Sequence, residues 1–469
     1  MGLWDRIFKK KGFTPGGYGV FAPVTYIGNE IKDLLKGGKG GKLEEAMFNS
    51  NHVFPVVRII IDKFKPCPWL LYEVTNEQKA AYYLNYRQKA EFIKQANEYK
   101  EKGLKEIETH PIIDLLNKPN SYQTRMQFLE DICGFYNTLG ECFIYADMPT
   151  LGRNANKPVA LYSLPPHLVE PIYSGDFRKP IKHYVFYFDG KPIEIEPHRI
   201  LHIKKWNPLY NYNGDGLHAI SPIDVASNLL NREKANQKAQ TKAYINGGRA
   251  FLISAEQPAA DEIPMTQEQL DEINDRIKEK LQGPENYMNI QATSASVKVA
   301  QIGDSVADMK LIEADKEDLR KTCSIFNVDP ILLGLKDGAK YDNQEGAYKG
   351  LVTQVVMPQH NDITEGLNYW LIPMLTKDSG KKYFLEADSA FYPELQPDMK
   401  LMREVYGSGH FTTNEFRSVI GWDKHNDPVA DMMLQPTNIK VVSAELLQQQ
   451  QANQQVRNQG VNQENKPKE

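Results

Sequence analysis

The fold is decided by the stretch at residues 220–248, which reads ISPIDVASNLLNREKANQKAQTKAYINGG. Ser221 is a good helix cap, Pro222 suits the first helical position, and Asp224 stands where a capping-box acid reaches back. No further Pro or Gly follows until Gly247 and Gly248, where a left-handed stop is sterically easy. We therefore predict a helix of about 26 residues, about 39 Å long.

The second half of this helix is unusually polar, since only three alanines and Tyr244 interrupt a run of Asn, Arg, Glu, Lys, Gln and Thr. A helix of this kind has no broad apolar face to bury in its own subunit. We expect it to stand in solvent, to line a wet cavity, or to pack side by side with copies of itself.

A second long helix is predicted from a cap at Ser305 to about Phe326. One face carries apolar residues at three- and four-residue steps, typical of a half-buried helix: Met309, Ile312, Leu319, Cys323 and Phe326. The other face is charged: Asp308, Lys310, Glu313, Asp315, Glu317, Asp318 and Arg320.

Between the two helices, residues 249–303 predict a small strand–helix–strand module. The strands are expected at 251–253 and 297–302, and the helix opens with the capping box TQEQ at 266–269. A module of about 50 residues is too small for a large core of its own.

A polar loop at 336–346 follows, and then a helix from Ala347 to about Trp370. This helix contains Pro358, which removes a hydrogen bond and kinks a helix axis.

The rest of the chain predicts an α+β architecture. Helices are expected at 52–65, 77–107, 110–118 and 123–139, and strands at 69–74, 142–145, 159–162, 183–188, 192–195 and 200–203. Asp189-Gly190-Lys191 is a hairpin signal. Two short strands are expected within 371–398, and short helices at 399–407 and 412–420.

Eight phrases resemble those of the portal proteins of tailed bacteriophages, in the order of that family. They are NHVFPVVR at 51–58, HPIIDLLNKPN at 110–120, LGECFIY at 139–145, LYSLPP at 161–166, RILHI at 199–203, GLHAISP at 216–222, NGG at 246–248 and VDPILLG at 328–334.

The resemblance implies a portal fold with the following parts. They are a flexible N-terminal arm (1–45), a wing (46–217), a first stem helix (218–248), a clip (249–303), a second stem helix (304–335), a tunnel loop (336–346), a kinked wing helix (347–378), a crown region (379–440) and a Gln-rich disordered tail (441–469).

The same resemblance implies candidate functional residues. In the tunnel loop, DNA contacts are expected from Lys336, Lys340, Tyr341, Asn343 and Gln344. The stem would line the channel with Arg232, Lys234, Lys238, Lys242, Glu313 and Glu317. The clip would dock partners through Gln267, Glu268, Asp271 and Asp275.

The implied function is a homo-oligomeric ring, a dodecamer, at one vertex of the virion capsid, assembled in the host cytoplasm. The ring passes double-stranded DNA without sequence preference. Its implied partners are the terminase large subunit, a head–tail adaptor, the major capsid protein and a scaffold.

Composition agrees with a channel that does not grip DNA. The chain has 56 Lys and Arg against 60 Asp and Glu, a net charge of −4, whereas tight general DNA binding needs a basic surface. No apolar run approaches the roughly 18 residues that span a bilayer, so no membrane partner is expected.

The alternatives are an enzyme and another viral connector or head-completion ring. We find no serine-hydrolase, metalloprotease or phosphate-loop motif, so neither catalytic residues nor a cofactor is predicted. The run KGGKGGK at 36–42 lacks the first Gly and the Ser or Thr of a phosphate loop. His198 and His202 straddle the start of a strand, which separates the two rings, and the four cysteines show no metal spacing.

Overall fold

The computed structural model describes residues 39–87, 93–152, 155–209, 215–245, 250–255, 266–268, 271, 274–275, 297–302, 310–335, 341–377, 379–396, 404, 406, 412–419, 422 and 424–432. The chain divides into two compact units, the first ending at Glu394 and the second beginning at Leu395. Most of the expected arm and all of the expected Gln-rich tail lie outside the described residues.

The described chain opens with helices α1 (Lys39–Phe48) and α2 (Val53–Phe64). The expectation of a flexible arm to residue 45 is therefore wrong from Lys39 onward, although Gly40 and Gly41 are poor helix formers. Ala46 is fully buried and Lys42 pairs with Asp224 at 2.7 Å, so tertiary contacts outweigh weak local propensity.

Strand β1 (Trp69–Val74) was predicted with these bounds, but the single long helix at 77–107 is wrong. The structure has α3 (Glu77–Tyr86), α4 (Ile93–Gly103) and β2 (Leu104–Ile107). The two helices form a hairpin because Tyr83 and Ala96 pack on Tyr72 of β1. Gly103 is needed at this contact, since a Cβ there would lie 2.8 Å from the backbone N of Ala80.

Two further helices, α5 (Pro111–Asn117) and α6 (Arg125–Thr138), confirm the predictions for this region. Thr124 and Gln127 form a complete capping box at the start of α6. Helix α6 then turns directly into strand β3.

Two antiparallel three-stranded sheets follow, with strand orders β4-β3-β8 and β5-β6-β7. Their strands are β3 (Glu141–Asp147), β4 (Ala160–Leu164), β5 (Val169–Tyr173), β6 (Ile181–Phe188), β7 (Lys191–Ile195) and β8 (Ile200–Lys204). Their shared core contains Phe143, Tyr145, Leu164, Val169, Tyr184, Phe186, Ile195 and Ile200. The hairpin at Asp189 and Gly190 is confirmed, and both residues have positive φ. Strand β5 was not predicted; it contains Pro171, which is tolerated on an edge strand.

The first long helix, α7 (Pro222–Ile245), confirms the prediction made from its caps. After it, strands β9 (Ala250–Ala255) and β10 (Val297–Ile302) pair antiparallel, as predicted for the small module. The second long helix is α8 (Leu311–Ile325), and its predicted cap at Ser305 lies outside the described residues.

The predicted faces of α8 are partly wrong. Ile312 is 57% exposed, whereas Asp318, which was assigned to the charged outer face, is 2% exposed. The physical reason is that α8 packs on the polar side of α7. The carboxylate of Asp318 is buried in this contact, where it pairs with Arg232.

Helix α9 (Tyr341–Leu351) continues through a π-helical turn (Val352–Val356) into α10 (Met357–Thr376). Pro358 stands at the start of α10, and the N–H of Met357 bonds to the carbonyl of Val352, five residues back. Pro358 was predicted to remove a hydrogen bond and kink this helix, and the structure has a change of hydrogen-bond register immediately before it.

Strand β11 (Tyr383–Ala387) pairs antiparallel with β1 and completes a third sheet of order β11-β1-β2. Two strands were expected within 371–398, but the described residues there form only β11, because α10 extends to Thr376. Residues 379–394 belong to the first unit, whereas the predicted crown region begins at 379.

In the second unit, helix α11 (Thr413–Val419) confirms the prediction at 412–420. Asn414 organises its surroundings, because its Nδ2 donates to His425 O at 3.1 Å and to Asp431 Oδ1 at 2.8 Å. Tyr406 stacks on Phe416 with ring centroids 4.5 Å apart.

Candidate functional site

The two long helices are joined by polar contacts. Arg232 Nη2 of α7 lies 3.0 Å from Asp318 Oδ1 of α8, whose side chain is 3% exposed. Asn236 Nδ2 donates to the carbonyl of Leu311 at 3.0 Å. The expectation that the polar half of α7 faces only solvent, a wet cavity or copies of the chain is therefore partly wrong. Glu233 and Asn236 of this half are buried within the subunit through hydrogen bonds, which a hydrophobicity pattern does not register, whereas Lys234 and Lys238 are exposed.

Glu233 connects α7 to the turn before α2. Its carboxylate is buried and accepts hydrogen bonds from Ser50 Oγ and from the backbone N of Asn51, both at 2.6 Å. His52 lies between two acids, with Nδ1 3.7 Å from Glu233 Oε2 and Nε2 3.3 Å from Asp315 Oδ1 of α8. The polar contacts of Glu233 and His52 thus hold the turn, α7 and α8 together.

The start of α7 is fixed against the turn between α6 and β3; we call this contact the α7 junction. Glu141 is fully buried there, with Oε2 3.1 Å from His202 Nε2 and Oε1 2.9 Å from His218 Nδ1. The backbone N of Ala219 donates to Oε2 at 3.0 Å. Ser221 Oγ donates to the carbonyl of Thr138 at 2.9 Å and accepts from the N of Asp224, so this residue caps α7 and also anchors it.

Burial governs the electrostatics of the junction. It lowers the pKa of His202, against the opposing effect of the Glu141 carboxylate, and it lowers the pKa of Lys204. The sequence signal for this cluster was faint, because Glu141, His202 and His218 stand far apart in the chain. Of the two histidines considered above for a zinc spacing, His202 contacts Glu141 and His198 has a side chain that is 59% exposed.

The predicted channel-lining residues lie on the exposed sides of α7 and α8. Lys238 and Lys242 are exposed, and Lys234 pairs with Glu45 of α1. Glu313 pairs with Lys310 at 3.8 Å, and Glu317 lies 3.4 Å from Arg320. Arg232 reaches Asp318 with its guanidinium although its side chain is 53% exposed.

The prediction of a polar loop at 336–346 is wrong from Tyr341 onward. Tyr341, Asn343 and Gln344 lie in α9 and not in a loop, because the good helix formers Gln344, Glu345 and Ala347 extend the helix upstream. Lys336 and Lys340 lie outside the described residues. An open groove of about 810 Å³ is lined by Leu335, by Asn343 of α9, and by Pro330 and Ile331 of the 3₁₀ turn Pro330–Leu333.

The four predicted clip residues, Gln267, Glu268, Asp271 and Asp275, are all exposed. Gln267 Nε2 lies 3.3 Å from Asp271 Oδ1, the spacing of one helical turn. Three of the four side chains are carboxylates, so this surface is acidic.

Within the described ranges, no group of three or more His, Cys, Asp or Glu side chains could hold a metal ion. All four cysteines are free and buried, and burial raises the thiol pKa of Cys67 and of Cys323 to about 11. No described helix is long and apolar enough to cross a membrane.

Comparison with known proteins defines the class. The family model for phage portal proteins matches residues 51–421, which is most of the chain. The chain therefore belongs to the phage portal protein family. This is a structural family, and its role is that of a portal at the capsid vertex.

Individual relatives are distant in sequence. An uncharacterized protein of Rickettsia bellii (strain RML369-C) is 21% identical over 334 residues, which cover 70% of this chain and 82% of that protein. A chain in the neck of the native gene transfer agent (GTA) particle, computed with C12 symmetry, has a TM-score of 0.57 at 18% identity. The match covers 82% of this chain and 94% of that chain. A chain in the neck of the empty GTA particle, computed with C6 symmetry, has a TM-score of 0.56 at the same identity and coverage. At this identity the structures establish a shared fold, a mixture of helices and small sheets.

Proposed function

We propose that twelve copies of this chain form a closed ring whose channel passes double-stranded DNA into and out of a capsid, without sequence preference. The family match supports the portal role, and the C12 symmetry of a similar neck structure supports the subunit number. A closed ring needs one face of each copy to fit a different face of the next.

The observation that carries the proposal is the mixed charge on the exposed sides of α7 and α8. The side chains of Arg232 and Lys234 are 53% and 51% exposed, and those of Glu313 and Glu317 are 73% and 50% exposed. DNA affinity rises steeply with the number of phosphates that cations neutralise. A wall with both signs therefore guides a duplex without holding it.

The tunnel contact is proposed for Lys336 and Lys340, with Tyr341, Asn343 and Gln344 presented from the first turns of α9. The groove borders the first turns of α9 at Asn343, and the π turn Val352–Val356 follows the other end of the same helix. π turns of this kind are common at functional sites.

The partners proposed for the outer surfaces follow from the same role. The acidic surface of Gln267, Glu268, Asp271 and Asp275 is proposed to dock the terminase large subunit during packaging and a head–tail adaptor afterwards. The ring is proposed to contact the major capsid protein and scaffold during assembly in the host cytoplasm. The motor hydrolyses ATP in this scheme, so the chain itself needs neither a catalytic group nor a cofactor.

The first test is mass photometry of the purified chain combined with negative-stain imaging. We expect rings with a central hole at roughly twelve times the 53.5 kDa subunit mass. A stable dimer that binds or turns over a small molecule would overturn the proposal and favour the enzyme alternative.

A second test addresses the tunnel contact by packaging DNA into capsids that carry variant rings. The double variant Lys336→Ala/Lys340→Ala should form rings and lose part of the packaged DNA. The matched control is Lys182→Ala/Lys191→Ala, two exposed lysines on the β5-β6-β7 sheet, which should retain DNA as the wild type does. Full retention by the first variant would remove the tunnel role of these lysines.

A further inference from the structure

The segment that follows β8, residues 205–209, is held firmly against the α7 junction. The backbone N of Lys205 donates to the carbonyl of Gly140 at 2.7 Å. Asn207 Nδ2 donates to the carbonyl of His218 at 2.8 Å, and Asn207 Oδ1 accepts from the N of Leu209 at 2.8 Å. The backbone of this segment at Lys205 and Leu209, and the side chain of Asn207, are therefore held in place by the fold.

In this segment a lysine side chain is turned inward while a tryptophan and a leucine are exposed, the reverse of the usual distribution. Lys205 is turned inward, with Nζ 5.0 Å from the ring centroid of Tyr136, and desolvation lowers its pKa. Its neighbour Trp206 is 82% exposed, and Leu209 is 68% exposed. Lysine is ordinarily among the most exposed residue types, and tryptophan is highly buried on average.

Folding of a single copy does not account for this arrangement. Exposed aromatic and aliphatic side chains forgo the hydrophobic stabilisation that burial would provide. The two side chains together present roughly 300 Å² of apolar surface, about the size of the largest patch on a typical monomer. A rigid segment that presents tryptophan has the composition of an interface hot spot.

We propose that Trp206 and Leu209 are a ring contact, which seats on the neighbouring copy of the same chain. The proposal rests on the ring of the proposed function. In a closed ring every copy presents the same patch, and a neighbouring copy is the partner present in equal number, so all copies of the patch are covered. The patch also adjoins the start of α7, so the contact would orient the long helices as the ring closes.

The test compares ring formation by the wild type with that of Trp206→Ala, Trp206→Phe and Leu209→Ala, using mass photometry over a concentration series. Trp206→Ala should need at least a tenfold higher concentration to form rings, and Leu209→Ala should show a smaller shift. Trp206→Phe should stay close to the wild type, because it keeps an aromatic anchor. The control is Tyr369→Ala, since Tyr369 of α10 is 87% exposed and should leave assembly unchanged.

Two further measurements make the outcome unambiguous. The thermal unfolding of the Trp206→Ala monomer should match that of the wild-type monomer, since the indole is mostly in solvent before assembly. The tryptophan emission of the wild type should shift to shorter wavelength on ring formation, and Trp206→Phe should lose that part of the shift.

Ring formation by Trp206→Ala at the wild-type concentration would refute the proposed contact between copies. If those rings also failed to join capsids, the partner of Trp206 would be a different protein. A wild-type chain that forms no rings at any concentration would instead overturn the ring itself, and the contact with it.

Discussion

Asn137 and Gln359 hydrogen-bond to each other in both directions. Asn137 Nδ2 donates to Gln359 Oε1 at 2.9 Å, and Gln359 Nε2 donates to Asn137 Oδ1 at 2.7 Å. Both side chains are buried, and Gln359 lies just after the π turn and Pro358. The pair therefore fixes α10 on α6 at the place where the helical register changes.

We predict that Asn137→Leu and Gln359→Met each lower the free energy of unfolding by about 1–3 kcal/mol, since each leaves a buried amide without its partner. The double variant should lose less than the sum, because it leaves no orphaned amide. Denaturant unfolding of the four proteins gives the coupling as a double-mutant cycle. Strict additivity would show that the two amides act independently.

The α7 junction requires a glycine at position 140. Gly140 has φ +78°, and a Cβ there would lie 2.4 Å from the carbonyl oxygen of Ile220. Gly140→Ala should therefore destabilise the chain by more than the roughly 1 kcal/mol of a left-handed alanine, because the backbone ahead of α7 must also move.

Gly175→Ala is the matched control, since Gly175 has φ +85° and a Cβ there would meet no other atom within 4 Å. Thermal unfolding should show the smaller loss for Gly175→Ala. Equal losses would mean that the close approach of Gly140 to Ile220 is relaxed without cost.

His360 predicts a specific pH dependence. It is fully buried, its Nδ1 accepts from Trp69 Nε1 at 3.1 Å, and its Nε2 lies 3.0 Å from the Tyr392 hydroxyl. Burial, with a smaller effect of Arg125, lowers the pKa of His360 to about 3 from an ordinary value of 6.5.

A depressed histidine pKa means that the folded state favours the neutral ring. Its contribution to stability is present above about pH 6.5 and is lost as the pH falls toward about 3, with a total of a few kcal/mol. His360→Gln should lower stability at pH 7 and flatten the pH profile between these limits. A His360→Gln profile as steep as that of the wild type would assign the dependence to other groups.

Because of the ion pair between α7 and α8, we expect the loss of Arg232 to cost more stability than the loss of the nearby Lys234. Arg232→Ala leaves the buried carboxylate of Asp318 without its cation and should cost about 1–3 kcal/mol, with the exposed side of Arg232 limiting the loss. Lys234→Ala breaks an exposed pair with Glu45 and should cost less than about 1 kcal/mol. Unfolding by denaturant measures both, and a larger loss for Lys234→Ala would contradict this account of the helix contact.

Local signals in the sequence were sufficient for many elements. The capping residues around Ser221 predicted α7. Strands were predicted at β1, β3, β6 and β7, with the hairpin signal Asp189-Gly190-Lys191 between the last two. These signals work because caps and turns are properties of a few adjacent residues.

Other features failed because they depend on distant partners. The split of 77–107 into a helical hairpin and a strand follows from packing on Tyr72, and the burial of Asp318 follows from Arg232 on another helix. The Glu141 cluster unites residues from three separate segments, so no window of the sequence contains it.

The sequence by itself determined the class of this protein, because the order of its family-like phrases, its two long helices and its balanced charge can all be read from the sequence. Only the tertiary structure decided which polar groups are buried and which apolar groups are presented to solvent. Glu141 is buried and Trp206 is exposed. The physical reason is that burial of a charge depends on partners brought together by folding. Exposure of the indole depends on tertiary contacts of the neighbouring residues, such as the hydrogen bond from the Asn207 side chain to the carbonyl of His218.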